Sequence, residues 1–124
     1  MNADRLLRIA LIAVGLIFVF GIYVLGIVWP SGWTWGHGHS HYLTMIIGVY
    51  ATLGVFLLLA SRNPQAHRSL IWFTVWSSVV HGAIMAVQSF RDPMEKGHLV
   101  GDVPALFFVA ILLGVLVQRA KKTV

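Results

Sequence analysis

YLTMIIGVYATLGVFLLLA (Tyr42–Ala60), SRNPQAHRS (Ser61–Ser69) and LIWFTVWSSVVHGAIMAV (Leu70–Val87) follow one another without a break. Crossing the hydrocarbon core of a bilayer takes roughly 20 mostly apolar residues in a helix, and each outer stretch meets that need. The link between them carries Arg62 and Arg68 and a helix-breaking Pro64. Ser69 stands before the third run, in the place of an N-cap, as Ser40 does before the second. The two stretches predict a pair of antiparallel membrane helices.

The rest of the chain extends this pattern. Apolar runs recur over residues 9–29 and 99–118, giving four spans over 9–29, 42–60, 70–88 and 99–118 in one domain, 1–124. The predicted fold class is all-α, a polytopic membrane protein built as a four-helix bundle with short loops. Composition agrees. Of 124 residues, 58% are hydrophobic and only 10% charged, against roughly 25% charged in ordinary soluble domains. The first run has a basic flank but ends at Trp29-Pro30 without a small-residue cleavage site, so it reads as a retained anchor.

Charge placement sets an expected orientation. Arg5 and Arg8, then Arg62 and Arg68, then Arg119, Lys121 and Lys122 lie in alternate segments outside the spans and hold seven of the nine Lys+Arg. Such a bias puts both termini in the cytoplasm. Basic residues placed this way are topology signals and do not suggest nucleic acid. Trp29, Trp33, Trp35 and Tyr42 cluster at the opposite boundary, as an aromatic belt does.

With no cysteine, thiolate chemistry is absent, and no GxSxG, HExxH or phosphate-binding loop is present. An enzymatic role is therefore left open without a motif to support it. The histidines carry the chemistry that exists. His37, His39 and His41 stand in GHGHSH, where alternation in an extended chain sends the three imidazoles to one side. Imidazole suits copper and zinc, and the bland alternative is a solvated polar loop. His81 lies inside the third span, where an ionisable group must face protein or water. It reads either as a ligand or proton carrier, or as a neutral hydrogen-bonded packing group. His98 and Asp102 are four apart. Asp102 reads as a ligand or acceptor beside His98, as the N-cap of a helix whose first turn holds Pro104, or as both. Haem is disfavoured, since only His81 is deep and a second axial ligand would have to be Met45 or Met85.

Two small-residue faces, Ser78–Gly82–Ala86 and Gly48–Thr52, suit close helix contact in lipid, within the chain or across a homo-oligomer. The leading expectation is a copper- or zinc-binding membrane protein with a site open to the periplasm, built from His37, His39, His41, His81, His98 and Asp102. The alternatives are a non-catalytic accessory subunit of a larger membrane complex, and a proton or small-solute path in an oligomer.

The strings YATLGVFLLLASRNPQAHRSLIWFTVWSSVVHGAIMAVQ (Tyr50–Gln88) and KGHLVGDVPAL (Lys96–Leu106) resemble a family of small bacterial membrane proteins of unknown function. The resemblance runs over almost the whole length. It implies a four-helix inner-membrane protein and assigns no activity or site.

Overall fold

A computed structural model describes residues 2–34 and 41–120. His37 and His39 lie outside the described residues. The described residues are helical throughout, without strands. In order they form α1 (Ala3–Leu16), a π-helical turn (Ile17–Gly21), α2 (Ile22–Val28), a short α3 (Pro30–Trp33), α4 (His41–Ala60), a 3₁₀ turn (Pro64–His67), α5 (Arg68–Arg91), a 3₁₀ segment (Pro93–Leu99) and α6 (Asp102–Arg119). Four helical stretches, Ala3–Val28, His41–Ala60, Pro64–Arg91 and Pro93–Arg119, are long and apolar enough to cross a membrane.

The first helix begins earlier than the expected residue 9. Asn2 caps it, its side-chain oxygen accepting from the backbone N–H of Arg5 at 2.8 Å. Arg8 then stays in the helix because it has partners. It pairs with Asp4 at 2.9 Å and donates to the carbonyls of Ser61, at 3.3 Å, and Arg62 beyond the end of α4. Arg68 does the same for α6, donating to the carbonyl of Val117 at 3.1 Å. The arginines that carry the charge bias thus satisfy helix-end carbonyls, which have no partner inside their own helix. Ser69 is not a cap. It lies inside α5, which begins one residue earlier after the 3₁₀ turn.

One stripe of each of α1, α4, α5 and α6 is buried. On α1 it runs Leu7, Leu11, Val14, and continues to Phe18 in the π turn. On α5 it runs Ile71, Thr74, Ser78, Gly82, Met85, and on α6 Val103, Leu106, Ala110, Leu113, Val117. The outward faces are also apolar. Phe73, Trp76, Phe108 and Ile111 are each more than 60% exposed, a surface that hydrocarbon, not water, can solvate. Two polar side chains of α5 bond backward to their own helix: Thr74 to Leu70 O at 2.9 Å and Ser77 to Thr74 O at 3.3 Å.

The small residues decide which helices meet. The Ser78–Gly82–Ala86 face packs on α6, and a methyl group at Gly82 would sit 3.2 Å from the Phe107 ring. The Gly48–Thr52 face is turned outward: among the described residues nothing lies within 4 Å of a Cβ added at Gly48, and Thr52 is exposed. The close contact of α4 falls instead at Gly54, whose added Cβ would lie 2.6 Å from the Gly15 carbonyl oxygen. α4 therefore packs on α1 and the π turn, and α5 packs on α6. α4 and α5, expected as antiparallel neighbours, make their main contacts with other helices, because Gly54 and Gly82 turn toward α1 and α6. Tyr50 and His81 reach across the interval between them.

Candidate functional site

Three features converge near the α3 end of the molecule. The first is a buried charged cluster in the 3₁₀ segment and the start of α6. His98 is fully buried; its Nδ1 lies 2.8 Å from Asp102 Oδ1 and its Nε2 lies 2.9 Å from Glu95 Oε2. The Thr34 carbonyl oxygen is 3.1 Å from the same Nε2. Both ring nitrogens thus face acceptors. His98 bridges Glu95, Asp102 and the Thr34 carbonyl.

The cluster fastens α3 to the 93–101 segment. The Gly97 and Gly101 backbones press on Ser31 and Gly32 so closely that a Cβ at either glycine would lie 2.3 Å from a carbonyl oxygen. Asp102 is the first residue of α6, the N-cap position is Gly101, and no side chain caps that helix. The N-cap reading of Asp102 is therefore corrected. Its carboxylate is turned to His98, a stronger partner than a neutral backbone N–H.

The second feature is the pair Tyr50–His81. The Tyr50 hydroxyl is hydrogen-bonded to His81 Nδ1, with ring centroids 5.5 Å apart. Phe18 meets the Tyr50 ring edge-on at 5.0 Å, which holds it in place. Asp102 lines the same cavity as both rings.

The third feature is a cavity of about 320 Å³ between the α1–α2 stretch, α4 and α6. Its wall is mostly hydrocarbon, supplied by residues such as Ile22, Ile47 and Leu106, and it includes Tyr50, His81, Asp102 and Trp33. The π turn contributes Ile17, Phe18 and Gly21. Such single π turns widen a helix locally and recur at functional sites. The volume lies at the low end of the range typical of small-molecule sites.

A family model described as a family of unknown function, DUF6632, matches residues 2–123. The chain belongs to this family. No curated protein and no solved structure matches the chain.

Of the residues singled out in the sequence, the structure brings His98 and Asp102 into contact and sets His81 on the same cavity as Asp102. His41 opens α4 and is exposed. Among the described residues, no group of three His, Asp or Glu side chains is placed to hold a metal ion. The remaining participants were not singled out. Glu95 stands three residues before His98, a spacing that shares a helical face. Tyr50 lies mid-span, away from the interfacial levels where tyrosine usually sits. Trp33 was assigned to the aromatic belt, which accounts for its presence but not for its place in the cavity wall.

Proposed function

We propose that this chain is a multi-pass membrane protein that binds a lipid-soluble small molecule in the cavity beside Tyr50 and His81. The cavity carries this reading: an apolar wall with a few polar groups is the usual form of a small-molecule site. The polar corner of Tyr50, His81 and Asp102 would orient the ligand, and the hydrocarbon wall would supply most of the affinity. The chain lies in a bacterial inner membrane with both termini in the cytoplasm, a reading supported by Arg5, Arg8, Arg62, Arg68 and Arg119. The cavity and the Glu95–His98–Asp102 cluster then lie toward the periplasmic side. Ile47→Trp fills the cavity. Protein purified in nanodiscs should retain a bound small molecule by native mass spectrometry, and this variant should lose it by about tenfold or more. Equal retention by both would overturn the proposal.

Copper or zinc binding is the second reading, favoured by the HGHSH motif running into His41, with His81, His98 and Asp102 as further ligands. It predicts about one ion per chain by elemental analysis of untagged protein extracted without chelator, lost on His41→Ala or His81→Ala. Metal at trace level, unchanged by those substitutions, would sink it. The open Gly48–Thr52 face also supports association with a second copy or a larger membrane complex, and crosslinking in native membranes would detect either.

A further inference from the structure

The wall of the cavity exposes almost no polar surface, although Tyr50, His81, Asp102 and Trp33 belong to it. Their polar atoms are engaged or sealed off. The Tyr50 hydroxyl and His81 Nδ1 bond to each other, Asp102 Oδ1 lies 2.8 Å from His98 Nδ1, and the Trp33 indole nitrogen has essentially no accessible surface. What these residues present to an occupant is therefore carbon. A polar head drawn inside would lose its own hydrogen bonds and gain none, which is costly.

Size and direction narrow the occupant. A cavity of about 150 Å³ takes up one benzene ring, so about 320 Å³ holds roughly a dozen carbon atoms. The wall runs lengthwise, from Ile17 to Leu25 on the first helical stretch and from Leu43 to Tyr50 on α4, about 10–12 Å parallel to the helix axes. The chains of a bilayer lie in the same direction. Three wall residues mark the mouth: Ile17, Ile46 and Phe108 line the cavity and are also 45%, 44% and 65% exposed. All three stand within the long apolar helices, so the mouth opens sideways into hydrocarbon. A gap left empty there forfeits dispersion contacts along its wall, and the surrounding bilayer supplies chains in large excess.

Resting on the cavity reading above, we infer that the occupant is one hydrocarbon chain of a bilayer lipid, admitted past Ile17, Ile46 and Phe108 and held without a hydrogen bond. Tyr50 and His81 act on it through their ring carbons. The headgroup stays outside the cavity and is not recognised.

The test uses the full chain, carrying ¹³C-methyl methionine in a deuterated background, in phosphatidylcholine nanodiscs. Met85 lines the cavity and is 6% exposed, whereas Met45 is 60% exposed and serves as the outward control. Met85→Leu assigns the Met85 signal. The chain protons of the lipid are expected to give a nuclear Overhauser cross-peak to the Met85 methyl, lost when the lipid chains are deuterated. Ile47→Trp should lose this peak and keep that of Met45, and phosphatidylglycerol with the same chains should preserve it. A Met85 peak that survives Ile47→Trp, or one seen with a single headgroup, would overturn the inference. The contrast between protonated and deuterated chains decides in the unaltered protein, whether or not the variant folds. Absence of the lipid peak, with a non-lipid molecule still retained by native mass spectrometry, would sink the inference and leave the cavity reading standing. Absence of both, or a Met85 peak arising from a second, protonated copy of the chain, would sink the two together.

Discussion

His98→Ala is expected to lower the stability of the detergent-solubilised protein by about 3–5 kcal/mol, read as an earlier unfolding transition by far-UV circular dichroism. The side chain is fully buried, and Glu95 and Asp102, facing its two nitrogens at 2.9 and 2.8 Å, are nearly as buried. Removing the imidazole takes away a group that two buried carboxylates share at 2.9 and 2.8 Å, and breaking a buried charged contact from one side costs more than the intact contact contributes. The α3 segment loses its tether at the same time, because the Thr34 carbonyl bonds to the same ring. Adding Glu95→Gln and Asp102→Asn to His98→Ala should recover part of the loss, since neutral amides remove the repulsion. A loss below about 1 kcal/mol would mean that the cluster is solvated and behaves as a surface pair.

Gly54→Ala and Gly48→Ala are expected to move stability in opposite directions although both glycines lie on α4. At Gly54 the new methyl would meet the Gly15 carbonyl oxygen at 2.6 Å, Val19 Cγ2 at 2.8 Å and Phe18 Cβ at 2.9 Å. A backbone carbonyl cannot rotate aside, so α1 and α4 must separate, at a cost of about 1–3 kcal/mol. At Gly48 nothing lies within 4 Å, and alanine should be neutral or stabilise by about 0.5–1 kcal/mol through helix propensity. The same unfolding measurement on both variants checks the pair. Gly54→Ala should also weaken retention of a bound small molecule, because Phe18 lines the cavity. Equal effects at the two positions would mean that the α1–α4 crossing does not run through Gly54.

Much of this was legible before any coordinates. Long apolar runs separated by Pro64 and arginines give the helices, since lipid leaves the backbone no other way to satisfy its hydrogen bonds. The four-residue spacing of His98 and Asp102 also gave their contact as one of two readings. The second reading, Asp102 as a helix cap, was equally consistent with the local residues. What separates them is the start of α6, with Gly101 and not Asp102 in the N-cap position; Glu95 and Thr34 bring acceptors to the other side of the ring. Thr34 is far away in sequence, and no local pattern announces its carbonyl.

The helix pairing was less legible. Gly48–Thr52 and Gly54 are all small residues on one apolar helix, and in lipid every face of such a helix is acceptable to its solvent. Pattern therefore does not say which face turns inward. The tertiary structure turns Gly54 toward Gly15 and leaves Gly48 outside, and this choice opens the interval that Tyr50 and His81 bridge.

The sequence alone thus determined the all-helical class, four apolar helices long enough to cross a membrane, and a short roster of polar residues that must find partners. Only the tertiary structure decided those partners: Tyr50 for His81, and Glu95 with Asp102 for His98. The physical reason is that hydropathy acts residue by residue and survives in any arrangement of the helices, whereas a hydrogen bond between groups far apart in the chain exists only in one.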